Sequence, residues 1–462
     1  MILISTFMKK IFLFSFIIFT LVACAPPAAK KQTGTGTSLN QNQPTITDPP
    51  ITTDPPPTED IPSDETDNDT TPPEDTPADG TDNNNNTQPT PQFTTKIIYE
   101  SYRTDNIMQN GKLMMMNADG SNKIELVSDH GFSMGRQANA KASPNGEYII
   151  FSSPKEGSEE VWLLQLNTRI IRRLSSFNDS SSWLETTEYA PCSHDDRNNK
   201  DCFSWSFDNK EIVFSVQPQF RGFSSSEKTY GNQELYKLDL TQTLPTPIKF
   251  QNQPNANNIN PQFSPKDKQI AFVSSNISNP SFETETRYDK LLLIDLDGQI
   301  QTLVETNSMG SIQWSPDGTK IAFVQSIPNT QDRKASYIDL QTRQVHILGE
   351  QFRTQVSDGE SSWSPDGKYI IFISQTPEQI LNADSSLNIY TLSNQSLTTI
   401  IGLEKGIKSA ISWLNNSEVM YRSYTSTGNF IYKTSITTPH PQKLTDILSD
   451  LPGILRIPLP LP

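Results

Sequence analysis

A five-residue motif recurs at nearly regular spacing along most of this chain. Trp314-Ser315-Pro316-Asp317-Gly318 and Trp363-Ser364-Pro365-Asp366-Gly367 are complete copies, and an apolar run follows each of them. Weaker copies have their second residue at Ser143, Ser206, Ser264 and Leu414. Successive motifs are therefore separated by 63, 58, 51, 49 and 50 residues. A period near 50 with several short strands in each unit is typical of the blades of a β-propeller.

Each unit predicts four short antiparallel strands, named A to D from the propeller axis outward. Strand A ends at the motif aromatic, and a tight turn follows, in which Pro fixes φ and Gly allows a positive φ. Strand B is a continuous apolar run such as 321–324, as expected for a strand whose two faces are covered by neighbouring blades. Strand C follows, for example at 291–296, and strand D is short, as at 345–348.

The motif turn, the Lys-Ile-Ala-Phe run at 320–323 and a following strand that ends in Asp-Leu together resemble the TolB-type propeller repeat. The resemblance covers residues 96 to about 445. It implies an all-β fold. Because the sequence predicts no separate α/β domain before the propeller, the chain departs from TolB itself, and the Tol–Pal partnership is not carried over.

The number of blades depends on how the ring closes. Strand B occurs seven times, but strand A occurs only six times, because the first unit lacks it. The C-terminal segment 454–457 is apolar enough to supply the missing innermost strand, and such a strand has a free edge that tolerates the nearby Pro458. The prediction is a propeller of seven four-stranded blades, with six, the commoner number in TolB, as the alternative.

The N-terminus has the pattern of an export signal. Lys9 and Lys10 precede an apolar segment, and Leu21-Val22-Ala23-Cys24 resembles the bacterial lipobox, which implies lipidation of Cys24. The alternative is a transmembrane anchor, but the apolar run 11–23 is shorter than the roughly 20 residues that cross a bilayer. Ala25 after the cysteine favours the outer membrane over retention at the inner one.

Residues 24–94 form a segment of Pro, Thr, Asp and Asn. Between Lys31 and Lys96 the chain has twelve acidic residues and no Lys or Arg. Such a segment buries too little apolar surface to offset chain entropy, so it is predicted to be a disordered stalk. The domain prediction is therefore a signal peptide at 1–23, the linker at 24–94 and the propeller at 95–462. The net charge of −15 leaves no basic surface for nucleic acid.

The two remaining cysteines, Cys192 and Cys202, close a short polar loop if they pair in an oxidising compartment. The loop also contains His194 and three aspartates, so a metal site is the alternative. The disulfide is the preferred interpretation, and neither a metal nor a cofactor is predicted.

Loop lengths point to one face of the propeller. The A–B turns are short and so are most C–D turns, whereas the B–C and D–A connections are long and irregular, as at 217–233, 275–289, 175–200 and 349–359. In an antiparallel blade these two kinds of connection emerge on the same face. Function tends to lie on such loops, and they contain aromatic and Arg residues of the kind that anchor interfaces. The alternative is that these side chains pack the loops onto the blades. They are Trp183, Tyr189, Phe220, Arg221, Phe223, Tyr230, Phe282, Arg287, Tyr288, Phe352 and Arg353.

Two kinds of catalytic site are alternatives to this binding hypothesis. Gly131-Phe132-Ser133-Met134-Gly135 matches a hydrolase nucleophile elbow, but no hydrolase domain accompanies it. A propeller lyase or glycosidase needs His clusters or carboxylates that converge on the axis, and the four histidines lie at unlike positions of their repeats. The function predicted is a lipid-anchored, non-enzymatic envelope module that binds a protein or glycan. A hydrolase or lyase with an axial carboxylate site, or a purely structural protein, is the alternative.

Overall fold

The structure, a computed structural model, describes residues 93–101, 111–132, 139–155, 159–177, 187–191, 202–221, 228–243, 245–250, 253–276, 288–327, 332–349, 353–354, 361–445 and 449–458. Within them, seven antiparallel sheets form the blades of a ring. The predicted seven-bladed β-propeller is therefore confirmed, and the six-bladed alternative is wrong. The predicted signal peptide and almost all of the predicted stalk lie outside the described residues.

The first four blades follow the chain, except that the innermost strand of blade 1 is the last strand of the protein. From the axis outward, blade 1 contains β31 (Ser449–Pro458), β1 (Phe93–Ser101), β2 (Lys112–Asn117) and β3 (Ile124–Val127). Blade 2 contains β4 (Lys141–Ala142), β5 (Tyr148–Ser153), β6 (Glu160–Gln165) and β7 (Ile171–Arg173). Blade 3 contains β8 (Thr187–Pro191) and β9 (Phe203–Trp205), then β10 (Glu211–Arg221), β11 (Lys228–Tyr230), β12 (Glu234–Asp239) and β13 (Ile248–Lys249). Blade 4 contains β14 (Asn257–Phe263), β15 (Ile270–Asn276), β16 (Tyr288–Ile294) and β17 (Ile300–Thr306).

The last three blades are contiguous in the chain. Blade 5 contains β18 (Met309–Trp314), β19 (Lys320–Ser326), β20 (Arg333–Asp339) and β21 (Val345–Ile347). Blade 6 contains β22 (Arg353–Thr354) and β23 (Ser361–Trp363), then β24 (Tyr369–Gln375), the short helix α1 (Pro377–Leu381), β25 (Ser386–Thr391) and β26 (Ser396–Ile400). Blade 7 contains β27 (Ile407–Trp413), β28 (Glu418–Thr425), β29 (Gly428–Ser435) and β30 (Gln442–Lys443). No helix in the described part of the chain has the length and apolar character to cross a membrane.

The apolar B strands are buried on both faces, as the sequence predicts. In β19, Ile321 and Phe323 join the apolar cluster between blades 4 and 5, whereas Ala322 joins the cluster between blades 5 and 6. This follows from the two-residue period of a strand, which sends alternate side chains to opposite faces. Since each blade presents apolar side chains to both neighbours, the hydrophobic core is a series of layers between blades.

The ring is closed by pairing between the two ends of the described chain. Strand β31 runs antiparallel to β1, with Ile454 opposite Ile97 and Pro458 opposite Phe93. The segment predicted to supply the missing innermost strand therefore does so. In the other blades a hairpin joins strands A and B, but in blade 1 these two strands come from opposite ends of the sequence.

The motif turns are held by a repeated set of hydrogen bonds. In blade 5, the Ser315 hydroxyl donates to the Asp317 carboxylate at 2.6 Å and accepts from Lys320 N at 2.9 Å, while Asp317 also accepts from Thr319 N at 3.1 Å. Gly318 has φ +68°, in the left-handed region that glycine adopts without strain. Burial alone would raise the pKa of Asp317, but these donors outweigh it and hold that pKa below its ordinary value. The Ser-Pro-Asp-Gly sequence is thus a specific A–B turn.

The motif tryptophans connect adjacent blades. Three indole N–H groups donate to a backbone carbonyl of the preceding blade, at the residue that comes just before its own motif. These bonds run from Trp205 to Lys141 O (3.1 Å), from Trp314 to Gln262 O (3.0 Å) and from Trp413 to Ser362 O (3.0 Å). The same residue type therefore fills the space between blades and pairs with the free inner edge of the neighbouring A strand.

Candidate functional site: the two faces of the propeller

The propeller has two unlike faces. The A–B and C–D turns emerge on one, here called the turn face, and the B–C and D–A connections emerge on the other, the loop face. The A–B turns and most C–D turns are short, but the C–D turn 240–247 of blade 3 has eight residues. On the loop face, 307–308 and 426–427 are two-residue connections, so the prediction that B–C and D–A connections are long is wrong for these two. Longer connections such as 376–385, which contains the helix α1, do belong to the loop face.

Blade 3 extends beyond the disc at the loop face. The segment 217–233 was predicted to be an irregular B–C connection, but β10 continues to Arg221 and pairs with β11, with Gln219 opposite Tyr230. On its other side β10 pairs with β8, part of the predicted 175–200 loop. The prediction of an irregular loop is therefore wrong here. The segment instead belongs to a sheet of three strands, which are β8, β10 and β11. Strand B of this blade continues through Pro218, so that β10 pairs with β8 on one side and with β11 on the other.

The structure places the predicted binding residues unevenly. Tyr288 begins β16 on the loop face and is 50% exposed. The backbone alone is described for five more predicted residues, which lie in strands at the loop face, namely β8, β10, β11 and β22. These residues are Tyr189, Phe220, Arg221, Tyr230 and Arg353. The remaining predicted residues, which lie outside the described residues, are Trp183, Phe223, Phe282, Arg287 and Phe352.

The structure describes one of the three cysteines to which the sequence assigns a role. Cys202 is buried directly before β9 and is disulfide-bonded. Cys192, its predicted partner, and Cys24, the predicted lipidation site, lie outside the described residues. The identity of the bridge and the lipidation therefore stay predictions.

Carboxylates on the loop face hold the backbone. In three blades an acidic side chain at or just before the start of strand C accepts a hydrogen bond from a backbone N–H in the following D–A connection or at its junction with the next strand A. Such bonds satisfy N–H groups that the strands leave unpaired. We call these residues the pin carboxylates. The bonds run from Phe177 N to Glu160 (3.3 Å), from Met309 N to Asp289 (2.7 Å) and from Gly406 N to Asp384 (3.0 Å).

The pin of blade 6 also neutralises a buried lysine. Lys408 is almost fully buried in β27, and its ammonium donates to Asp384 at 2.9 Å and to the carbonyls of Glu404 and Gly406 at 2.6 and 2.8 Å. All three N–H groups are therefore satisfied, as a buried charge requires. Burial alone would raise the pKa of Asp384, but the Lys408 ammonium and the Gly406 N–H outweigh it and lower that pKa.

A second carboxylate of this region is held by a tyrosine. The Tyr421 hydroxyl, fully buried in blade 7, donates to Glu404 Oε2 at 2.9 Å. Burial, together with the negative charge of Glu404, raises the pKa of Tyr421 far above its ordinary value. The phenol is thus a fixed hydrogen-bond donor between blades.

His130 lies beside the segment Gly131–Gly135, whose sequence matches a nucleophile elbow. It is completely buried, with Nδ1 3.0 Å from the Ser153 hydroxyl and Nε2 3.2 Å from the Lys155 ammonium. The Ser153 hydroxyl donates to His130 O at 2.8 Å, so its proton does not face the imidazole. Burial, with Lys155 nearby, lowers the pKa of His130 from 6.5 to about 4. His130 is therefore neutral in the folded protein, and Ser133 of the elbow lies outside the described residues.

The loop face of blade 6 exposes apolar side chains that sequence reasoning missed. Helix α1 begins with a capping box in which Thr376 and Gln379 exchange hydrogen bonds, the pattern that starts many helices. At its end Ile380 and Leu381 are exposed, Leu381 to 87%, and Ile401 after β26 is exposed as well. The Thr-Pro-Glu-Gln sequence at 376–379 was the signal available for this helix.

The axis of the propeller contains a cavity of about 430 Å³ that opens at the turn face. Its wall is built from strand A residues and motif prolines of blades 2, 3, 5, 6 and 7. The lining residues are Lys141, Ala142, Ser143, Pro144, Ser204, Trp205, Gln313, Pro316, Ser362, Trp363, Pro365, Ser412 and Trp413. None of these is a carboxylate. The axial carboxylates required by the predicted hydrolase or lyase alternative do not occur among the described residues that line this cavity.

No family model matches the sequence, and no curated protein matches it. Solved structures do match. TolB from Acinetobacter baumannii is 18% identical over 67% of this chain and 64% of its own, with a TM-score of 0.43. Oligogalacturonate lyase from Vibrio parahaemolyticus is 12% identical over 76% of this chain and 85% of its own, with a TM-score of 0.48.

A puromycin-hydrolyzing peptidase from Mycobacterium tuberculosis is 12% identical over 79% of this chain, with a TM-score of 0.54. The match spans only 55% of that peptidase, as it spans less than two thirds of TolB. At identities below 20% these similarities concern the fold alone. In fold the chain is a seven-bladed β-propeller, as its repeats predict.

Proposed function

We propose that this protein is a cell-envelope module that binds a protein or glycan through its loop face. One observation carries the proposal: the described departures from regular four-stranded blades concentrate on that face. They comprise the β8–β10–β11 sheet, the helix α1 and the short strand β22. Rigid scaffolds with one elaborated face commonly use that face for recognition.

Like the turn face at Leu296, the loop face also offers exposed apolar side chains for contact. Tyr288, Leu381 and Ile401 present aromatic and aliphatic groups to solvent there. Tyrosine is among the residue types that dominate the energetics of interfaces, and Leu381 and Ile401 add apolar contact area. Tyr288 belongs to the set predicted from the sequence, whereas Leu381 and Ile401 extend that set to blade 6.

Binding is favoured over catalysis by the way in which the reactive groups are used. The pin carboxylates accept hydrogen bonds from backbone N–H groups, and the Ser153 hydroxyl donates to a carbonyl. A general base must come within hydrogen-bond distance of the proton that it abstracts, whereas Glu160, Asp289 and Ser153 are buried. These groups are therefore better suited to holding the loop face in shape.

The decisive experiment removes the blade 3 extension without disturbing the disc. Gly231 N donates to Pro218 O at 2.8 Å, so a two-residue Asn-Gly turn can replace residues 219–230 at a hydrogen-bonded pair. In-cell crosslinking and pull-down is expected to capture a partner with the full chain and to lose that partner with the excised variant. As the matched control, Leu296→Ser changes an exposed apolar residue of the turn face. Capture of the same partners by the excised variant would refute the loop-face assignment.

Envelope anchoring is the second part of the proposal, and it rests on the lipobox-like sequence ending at Cys24. An exported chain that expresses normally is expected to incorporate an alkyne-labelled fatty acid, and Cys24→Ser is expected to abolish the label. Cys202→Ser is the control, because the mature chain would keep its lipid. Labelling of the Cys24→Ser variant would contradict the anchor.

A further inference from the structure

The outermost strand of blade 6 contains no charged residue. This strand, β26, pairs with β25 on one side, and no described strand pairs with its other edge. Five of the other six outermost strands contain a charged residue, and the sixth, β21, has only three residues. The free edge of a strand attracts other strands, and charged side chains are a common protection against such pairing. The edge of β26 is therefore open and lacks that protection.

The lack of charge extends over the whole hairpin of β25 and β26. Residues 385–403 contain no acidic residue, no basic residue and no proline, and Asp384 and Glu404 lie at the two ends of this run. The Asp384 carboxylate is paired with the Lys408 ammonium. The Glu404 carboxylate accepts a hydrogen bond from the Tyr421 hydroxyl. An uncharged segment of β-branched and apolar residues is prone to pair with further strands, so a second strand is expected to cover this edge.

The blades on either side hold β26 in place without covering its edge. Leu397 packs into the apolar cluster between blades 5 and 6, and Ile400 packs into the cluster between blades 6 and 7. Ser396 and Thr398, by contrast, are exposed, and Ile401 directly after the strand is 75% exposed. The edge is therefore a fixed and accessible template for another strand.

Charge favours a second copy of this chain as the strand that covers the edge. The net charge of −15 makes two copies repel each other over most of their surface, so they approach best where charge is absent. A two-fold axis places a surface against itself. A charged residue at the axis of a strand pair therefore meets its own like charge, as the central Arg172 of β7 would. The central residue of β26 is Thr398, and every residue of that strand would face an uncharged one.

We propose that two copies of this chain pair through β26, antiparallel about a two-fold axis at Thr398, so that their two sixth blades form one continuous sheet. Ser396 of each copy then lies opposite Ile400 of the other, and Leu397 lies opposite Thr399. Because β26 runs from the turn face to the loop face, antiparallel pairing points the two loop faces in opposite directions. The dimer can therefore hold partners on both of its sides, but its formation does not depend on the proposed partner surface.

A cysteine at the two-fold axis tests the pairing directly. Thr398→Cys places two thiols on directly opposite residues, whose Cα atoms are about 4.5–5.5 Å apart in an antiparallel pair, within the range that a disulfide spans. Intact cells that express the full chain are treated with copper–phenanthroline, and a disulfide-linked homodimer is expected on a non-reducing gel. Thr302→Cys, exposed on the outermost strand of blade 4, is the matched control and should stay monomeric. A monomeric Thr398→Cys chain, or its linkage to a different protein, would overturn the proposal.

Charge substitutions test the same pairing without a crosslink. Two full-length copies with different epitope tags are co-expressed, and their co-purification in detergent is measured. Thr398→Lys in both copies places like charges opposite each other and is expected to lower co-purification about fivefold. Thr398→Lys in one copy and Thr398→Glu in the other should restore it, which also shows that both variants fold.

Two outcomes of the charge test would contradict the dimer. They are undiminished co-purification when both copies carry Thr398→Lys, and failure of the Lys and Glu combination to restore it. The Asn-Gly replacement of 219–230 should leave co-purification unchanged, because that segment belongs to blade 3. Failure of the loop-face proposal would therefore leave this result intact.

Discussion

The turn face and the loop face of this propeller are specified in different ways. On the turn face one short sequence is used repeatedly, and the Ser-x-Asp hydrogen bond of 315–317 recurs at 364–366 and, with Phe in place of Pro, at 206–208. On the loop face the pin carboxylates recur in blades 2, 4 and 6, but the connections themselves differ, with a sheet extension in blade 3 and a helix in blade 6. The repeated face gives the disc its geometry, which leaves the other face free to vary.

The largest expected effect comes from removing the closure of blade 1, where chain ends replace an A–B turn. Deletion of 449–462 removes β31 and exposes the inner edge of β1. We expect the loss of most of the folding free energy, of the order of 5 kcal/mol or more, seen as loss of the cooperative transition in urea. Deletion of 459–462 alone keeps β31 and is the control. A truncated chain that unfolds like the full one would show that the ring does not need this strand.

The next effect concerns a pin carboxylate of the loop face. Asp289 is fully buried and accepts from the Ser275 hydroxyl at 2.6 Å and from Met309 N at 2.7 Å. Asp289→Ala leaves two buried donors unpaired and is expected to cost about 2–4 kcal/mol in urea unfolding. Asp289→Asn keeps one acceptor oxygen and should cost less. Equal losses in both variants would mean that packing, and not hydrogen bonding, holds this connection.

Acidification is expected to lower the free energy of unfolding through His130, which lies on the loop face. Its folded pKa of about 4 lies below the ordinary 6.5, so between these values the unfolded chain binds a proton that the folded chain refuses. The stabilisation is present above pH 6.5 and is lost as the pH falls toward 4, by up to about 3 kcal/mol. His130→Gln removes this contribution, so the stability gap between wild type and variant should narrow on acidification. A gap that stays constant would place the titration elsewhere.

A turn of the repeated face is expected to contribute less than a pin carboxylate. Asp317 is on the surface, and Asp317→Ala removes the bonds from Ser315 and Thr319 N. We expect a loss of about 1 kcal/mol in urea unfolding. Asp297→Ala, on the C–D turn of blade 4, is the matched control, since no described residue donates to that carboxylate. A loss as large as that of Asp289→Ala would contradict the contrast between the faces.

The last prediction concerns two exposed leucines, one on each face. Replacing them should change stability least, but the change on the loop face should affect binding most. Leu381, on the loop face, is 87% exposed, and Leu296, on the turn face, is 67% exposed. Replacing either by Ser should change the unfolding free energy by less than about 0.5 kcal/mol, because little apolar contact is lost. Partner capture is expected to fall with Leu381→Ser and to persist with Leu296→Ser. The reverse pattern would assign the partner to the turn face.

The repeated parts of the fold were predictable from the sequence because they are local. A pattern of only a few residues is enough to predict the motif turns, the apolar B strands and the closing segment at 454–457. The extension of β10 does not, since Pro218 interrupts the apolar pattern and its pairing depends on β8 and β11. Lys408 reads as a surface residue, because lysine is almost never fully buried without partners, and its partner Asp384 lies 24 residues away.

The candidate site was predictable only as a face. Tyr288 was found from its residue type and position, whereas the exposed end of α1 required the structure. The hydrogen bond from Trp363 N to the Gln313 side chain was missed because it joins two neighbouring blades, and no pattern within one repeat contains it. Sequence periodicity describes what the blades share and not the contacts that differ between them.

The closure of blade 1 determines how the disc bears mechanical load. Strand β1 begins at the turn face with Phe93 and runs toward the loop face between β2 and β31. If Phe93 is pulled while a partner holds the loop face, the force acts along β1. The hydrogen bonds from β1 to both of its neighbours, β2 and β31, then bear that force together. A pull between Phe93 and Pro458, which are opposite each other, separates the two strands one pair at a time. The disc should therefore resist tension across its faces far better than tension between its two chain ends.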